Sequence, residues 1–254
     1  MAANLKTKIQ PARWIVGDKV LRFSRGERQS HWVHAISFFL LLFTGLGVLS
    51  TFFQPAMIVF GGIQVARVIH RASAVVFVVV VGLLFFIGDS KHHWNWIKSS
   101  FHFTKADFQH ISAFPKEFFG GHGIYPAQDK YNGGEKINSL ITILGTVFIT
   151  LSGVVMWFAS SFPPALVRWA YPVHDLSVFM MTASVIGHMY LGLLHPDSRV
   201  AMSGMLNGYV STKFARAHHG KWFARLEQEQ KVLDESTNHT PLMDNKGKGS
   251  SLNG

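Results

Sequence analysis

The 254-residue sequence contains no cysteine. That absence excludes disulfides, thiolate zinc sites, iron–sulfur clusters bound by this chain and covalently attached c-type haem. Charge is also scarce: Asp, Glu, Lys and Arg together make up 15%, against about 25% in an ordinary soluble domain. No secretory signal is evident, because the first 30 residues are basic and lack an apolar core. What replaces these features is apolar bulk, 48% of the chain with 22 Phe and 7 Trp, and an unusual 14 histidines. Any metal must therefore be held by His, Met or carboxylate.

The mean hydropathy is only +0.20, so the apolar residues must be segregated. They fall into four blocks. The stretch 29–66 is free of Asp, Glu, Lys and Arg, and Val33–Phe53 is its most apolar part. Ala72–Gly88 is a second run, Ile137–Val167 a third with its apolar part at Ile137–Phe162, and Leu176–Pro196 a fourth. At 1.5 Å per residue about 20 apolar residues cross the hydrocarbon core of a bilayer. The expected fold is an all-α membrane protein, a bundle of four transmembrane helices over residues 31–200. Residues 1–30 form an N-terminal arm, 89–136 a long loop, and 201–254 a C-terminal segment.

Charge sorts the loops. Segment 1–30 carries seven Lys/Arg, 89–136 six and 196–254 eight, whereas the two remaining loops hold only Arg67, Arg71 and Arg168. By the positive-inside rule both termini and the long loop are cytoplasmic. A net charge of +10 concentrated beside the membrane makes nucleic acid a poor explanation of the basic balance. Within the long loop, Phe108–Phe119 reads as a short interfacial helix, broken by Gly120, Gly121, Gly123 and Pro126. His218–Val232 reads as helical and Thr237–Gly254 as a disordered tail. The sequon Asn238-His239-Thr240 falls on the cytoplasmic side, where it is not used. The alternation of spans is the only repetition evident along the chain.

Ionisable residues at membrane depth are costly and functional by default. His174 and His188 lie 14 residues apart on the fourth span, about 21 Å of rise and only about 40° of rotation. His31 opens the first span at its cytoplasmic end, and His70 opens the second at its outer end. Depth pairs His31 with His188 and His70 with His174. Two bis-imidazole sites stacked in a four-helix bundle suit two b-type haems. A proton relay would bring carboxylates to depth, and only Asp175 is near. A zinc carrier would cluster its ligands at one depth. His34, His195 and Met189 remain rival ligands. Met180, Met181 and Met189 read more simply as packing residues. His92, His93, His102, His110 and His122 fall in the polar loop, where solvated histidines are expected. Gly45, Gly47, Gly82, Gly145 and Gly153 leave room for a flat macrocycle or for close helix packing.

Several motifs resemble the cytochrome b (gamma) subunit of membrane-bound formate dehydrogenases. They are Arg28-Gln29-Ser30-His31-Trp32, Arg67-Val68-Ile69-His70, Lys130-Tyr131-Asn132-Gly133-Gly134-Glu135-Lys136, Val173-His174, Gly187-His188-Met189-Tyr190 and His218-His219-Gly220-Lys221-Trp222. The resemblance covers roughly residues 15–230. It implies a four-helix bundle with two haems b, ligated by His31, His70, His174 and His188, and favours His31 over His34 and His188 over His195. It implies electrons from a periplasmic iron–sulfur (beta) subunit, fed by a molybdenum or tungsten formate dehydrogenase (alpha) subunit. The acceptor is a quinone, menaquinone or ubiquinone, near the cytoplasmic face of a bacterial inner membrane, and its pocket falls on Asn132 and Gly134. The chain itself has no formate-oxidising site. An Asn amide and a backbone N–H can bind a quinone carbonyl, while a bland reading makes Asn132-Gly133-Gly134 a turn. Glu135 is then a surface carboxylate or an aid to proton uptake. Longer ends distinguish the chain from shorter members of that family. Two other readings compete, a cytochrome b subunit of a nickel–iron hydrogenase and a non-redox membrane protein whose histidines only pack. Arg67, Arg71 and Arg168 are expected on the outer side as propionate partners or interfacial anchors.

Overall fold

The computed structural model describes residues 14–87, 89–119, 121 and 124–238. Of the expected C-terminal tail, Thr237 and Asn238 close the last helix. The rest of that tail, most of the N-terminal arm, His122 and the Gly120 and Gly123 breakers lie outside the described residues. The order is strand β1 (Ile15–Val16), β2 (Lys19–Leu21), helix α1 (Arg25–Leu49), a 3-10 segment Thr51–Phe60, α2 (Ile63–Ile87), α3 (Ser90–Phe101) and α4 (Lys105–Phe118). Then come α5 (Gly133–Trp157), α6 (Pro164–Leu194), α7 (Met202–Asn207), β3 (Tyr209–Ser211), α8 (Thr212–His218) and α9 (Gly220–Asn238).

Helices α1, α2, α5 and α6 are each long and apolar enough to cross a membrane. The protein is thus mainly helical with four candidate spans. Two of the observed helices start earlier than the uncharged runs. Helix α2 begins at Ile63 rather than Ala72, and α6 at Pro164 rather than Leu176. Arg67 and Arg71 in α2, and Arg168 and Asp175 in α6, fall in the first half of each helix and do not stop it; the long stem of an arginine lets its charge reach the interface. The first and third spans open on a capping box. Ser24 Oγ accepts from Glu27 N (3.1 Å) while Ser24 N donates to the Glu27 carboxylate (2.8 Å). Asn132 Oδ1 accepts from Glu135 N (2.8 Å) while Asn132 N donates to Glu135 (3.0 Å). Each box satisfies N–H groups that a helix start leaves orphaned.

Along the spans, hydroxyls turn back onto their own helix. Ser37 donates to Val33 O (2.7 Å), Thr142 to Asn138 O (2.9 Å) and Ser177 to Val173 O (2.7 Å). Such bonds remove polar groups from contact with lipid. Outward positions carry large apolar side chains, among them Phe43, Phe148, Leu176 and Phe179. The hairpins α1–α2 and α5–α6 pack tightly within themselves. They meet in a central cluster of Phe38, Phe77 and Met181, flanked by Ile141, Ile149 and Val185.

One end of the bundle, the near face, carries both ends of the described chain. Here the structure departs from an all-helical expectation. β1, β2 and β3 form an antiparallel sheet in that order, pairing Val20 with Val210. Gly17, at φ +59°, supports the two-residue turn between β1 and β2. The N-terminal arm and C-terminal segment, separate by sequence, share one core of Val20, Val210, Phe214, Ala215, Trp222, Phe223 and Leu226. The long loop holds two helices rather than one: α3, and α4 in place of the expected Phe108–Phe119 segment.

Candidate functional site

The Lys130–Lys136 motif sits where the near face meets the bundle. Each of its charges finds a partner on another element. Lys130 Nζ lies 2.8 Å from Glu27 of α1, Arg22 Nη2 lies 2.8 Å from Glu135, and Lys136 Nζ lies 2.8 Å from Asp107 of α4. Lys136 also donates to His102 O (3.0 Å), and Tyr131 OH to Glu27 (3.2 Å). Glu135 is therefore not the free surface carboxylate expected of it. Burial alone would raise the Asp107 carboxyl, but hydrogen bonds from Lys136 and Thr104 outweigh it and hold the group below its ordinary value. Burial, then the charge of nearby Glu27, pushes the Tyr131 phenol well up, so it remains a donor. A cavity of about 890 Å³ opens beside this layer, lined among others by Arg22, Glu27, Lys130, Tyr131, Asp107 and Lys136.

Asn132 caps α5 through its Oδ1, the turn role anticipated as the bland reading. Its Nδ2 is not used in the cap. Gly133 and Gly134 are the first two helical residues, whose N–H groups have no partner inside the helix. The two glycines differ. A Cβ on Gly133 would collide with the Asp107 carbonyl, so close packing demands glycine there. A Cβ on Gly134 would make only ordinary contacts, with Asn132 Oδ1 at 3.4 Å and the Phe114 ring at 3.5 Å.

The four membrane-depth histidines occupy two levels. At the near face, His31 of α1 and His188 of α6 face each other with ring centroids 6.2 Å apart. His31 Nδ1 is buried without a partner among the described residues. At the far end, His70 of α2 and His174 of α6 each rest against a hydroxyl of the neighbouring helix. Thr44 Oγ1 lies 3.0 Å from His70 Nδ1 and 2.5 Å from Leu40 O. Two oxygens that close, one of them a carbonyl, require the hydroxyl proton between them. Nδ1 of His70 must then carry the hydrogen, leaving Nε2 with its lone pair free. The same holds for His174, with Ser152 Oγ 3.1 Å from Nδ1 and 2.6 Å from Phe148 O. Gly45 and Gly153 face the His70 and His174 rings, whose Cε1 atoms lie 3.2 and 3.4 Å from where a Cβ would stand. A side chain at Gly45 would press on the imidazole of His70, and one at Gly153 would touch that of His174.

The other glycines divide differently. Gly47 is filled by Met57 and Gly145 by Met181, which is helix packing, while Gly82 faces open space. Of the three methionines read as packing residues, Met181 is in the core, and Met180 and Met189 are exposed. Two of the rival ligands have contacts of their own. His34 meets the Phe77 ring edge-on at 4.4 Å. His195 is buried against Tyr190, at 5.8 Å, with Ser198 Oγ 3.2 Å from Nδ1. Among the loop histidines, His93 and His110 are buried, against the expectation of solvation, because α3 and α4 fold them under Phe85 and Tyr125 respectively. Burial pushes His93 below its ordinary value. Arg71 lies over the Trp157 ring at 5.6 Å, and Arg67 and Arg168 are exposed.

Paired imidazoles with free Nε2 atoms, backed by glycine and lying between two hairpins, suit a flat macrocycle with two axial nitrogens. Among the described residues no cluster of three or more His, Asp or Glu forms a metal cage. Comparison with known proteins agrees. The family described as prokaryotic cytochrome b561 matches residues 22–208. The chain belongs to this cytochrome b561 family. Haem b is the group such cytochromes carry. The chain is also similar to the cytochrome b556(fdo) subunit of formate dehydrogenase from Escherichia coli, 27% identical over 83% of this chain and 95% of the relative. The nitrate-inducible cytochrome b556(Fdn) subunit of the same organism is 26% identical, over 80% and 90%. The cytochrome b556 subunit of Haemophilus influenzae formate dehydrogenase is 25% identical, over 86% and 90%. All four histidines singled out by depth fall within the region matched by the cytochrome b561 family.

Proposed function

We propose that this protein is the dihaem cytochrome b subunit of a formate dehydrogenase, passing electrons from a periplasmic iron–sulfur subunit across the bacterial inner membrane to a quinone near the cytoplasmic face. The observation that carries the proposal is the two-level pairing of histidines, His70 with His174 and His31 with His188. The near face is the cytoplasmic one in this reading, because it gathers the Lys/Arg-rich segments. Both chain termini then belong to the cytoplasm. The iron–sulfur and catalytic subunits of the complex dock on the far side, and the chain itself oxidises no formate.

Haem b, when bound, would supply reversible one-electron transfer at each level. His70 and His174 would hold the outer group, with imidazoles fixed by Thr44 and Ser152. His31 and His188 would hold the inner one. Asn132 Nδ2 and the N–H of Gly134, which has no partner inside the helix, are the donors for a quinone carbonyl. The adjacent cavity is lined by Tyr131, next in sequence to Asn132, and by Glu27, and in this reading it is the path by which cytoplasmic protons reach the reduced quinone. Moving each charge inward is worth about 2.3 kcal/mol per 100 mV. Pyridine haemochrome analysis of fully loaded protein should give two haems b per chain. His188→Ala should remove the inner haem and spare the outer; His70→Ala should do the reverse. One haem per chain, or loss of the same haem from both variants, would overturn the assignment.

A further inference from the structure

The two hairpins share a residue pattern. Ser24-Arg25-Gly26-Glu27-Arg28 opens α1 and Asn132-Gly133-Gly134-Glu135-Lys136 opens α5, each with its capping box. Twenty residues after the cap come Thr44-Gly45 in α1 and Ser152-Gly153 in α5, so the same offset of 108 residues relates both pairs of positions. The second helices match with an offset of 104. Ala66 corresponds to Ala170, His70 to His174, Ser73 to Ser177 and Phe77 to Met181. Structure supports the correspondence. Ala66 and Ala170 are both buried, and Phe77 and Met181 meet in the central cluster. In each hairpin a hydroxyl bound to its own i−4 carbonyl contacts the Nδ1 of the histidine, and the following glycine faces that ring.

We infer that the bundle is a tandem repeat of one two-helix unit and that Thr44 and Ser152 are matched positioning residues, setting the tautomer and donor strength of His70 and His174. This rests on those two histidines being axial ligands. The near pair is different in kind. The counterparts of His31 and His188 are Ser139 and Leu84, neither a ligand. Ser139 instead accepts from Trp96 Nε1 at 2.9 Å. The far site is therefore the symmetric product of the repeat, and the near site joins two unrelated positions. His31, unlike His70, has no hydrogen-bond partner on Nδ1 among the described residues.

An acceptor on Nδ1–H makes an imidazole a stronger donor, which favours ferric over ferrous iron. Removing it should raise the reduction potential. Thr44→Val and Ser152→Ala delete the hydroxyls with little change of bulk, whereas Thr44→Ser and Ser152→Thr keep them. The haem-loaded full chain is titrated spectroscopically and its low-spin ferric resonance recorded. Each deletion should raise the potential of one and the same haem by up to about tenfold in its reduction equilibrium, about 59 mV for one electron. The two effects should be similar, with the other haem unmoved and the hydroxyl-keeping variants at the wild-type value. Should a deletion cost the haem outright, the hydroxyl-keeping variant must retain both haem and potential. A shift from only one deletion, no shift from either, or an equal shift in the hydroxyl-keeping variants would overturn the inference. Failure of the underlying ligand assignment looks different, because His70→Ala would then leave both haem spectra intact.

Discussion

Asn132 has two separable jobs, and its substitutions can tell them apart. Oδ1 caps α5 by accepting from Glu135 N at 2.8 Å; Nδ2 is the donor assigned to the quinone. Asn132→Ala removes both. Loss of a cap costs about 1 kcal/mol, and loss of one neutral hydrogen bond about 0.5–1.5 kcal/mol of binding, roughly two- to tenfold. Asn132→Asp keeps an acceptor at the helix start, where the helix dipole favours a negative charge by about 0.3–1 kcal/mol, and removes only the donor. The assay is stopped-flow reoxidation of pre-reduced haem at limiting quinone, beside thermal unfolding of the same preparations. Both variants should reoxidise about two- to tenfold more slowly, with two haems and donor-driven reduction retained, and only Ala should lower the unfolding temperature. Wild-type reoxidation by Asp alongside slow reoxidation by Ala would make Asn132 a cap and nothing more. That result would remove the main polar contact from the proposed quinone site.

The charge layer around this loop makes two further predictions. Lys136→Met strands the Asp107 carboxylate, which is almost fully buried, with Thr104 as its one remaining donor residue among the described residues. Leaving a buried charge unpaired costs about 3–5 kcal/mol, so unfolding should occur at distinctly lower temperature, while the double variant Lys136→Met with Asp107→Leu recovers much of the loss. Equal stabilities of the single variant and wild type would refute the pairing argument. His219 is 1% exposed, with Nδ1 2.9 Å from Asp129 O, and burial, then Arg22, holds it down to about 3. The folded state keeps this imidazole neutral whereas the unfolded chain protonates it near 6.5, so its contribution is full above about pH 6.5 and is lost as pH falls toward 3. By linkage the loss over the whole range reaches about 5 kcal/mol. Stability measured from pH 7 to 4 should fall less steeply in His219→Gln than in wild type; parallel curves would contradict the assignment.

Much of the molecule follows from local sequence. Four apolar blocks dictate four spans, because only a helix satisfies its own backbone in lipid, and the 14-residue separation of His174 and His188 places them on one face at two depths. The histidine ladder is legible for that reason, as is the Asn-to-Glu spacing that caps α5. Other features need the fold. β2 and β3 are three residues each and pair Lys19 with Ser211, most of the chain apart, so no local periodicity could join them. Sequence leaves Glu135 as a surface carboxylate, and the charges of Lys130, Glu135 and Lys136 become a paired layer only when α1, α4 and the end of β2 close on them. His93 and His110 are buried as the helices of the same loop fold in. Thr44 and Ser152 lie on helices other than those of the histidines they hold, as do Gly45 and Gly153. Sequence alone presents each as an ordinary small residue in a span; contact across the helix pair is what turns it into support for an imidazole.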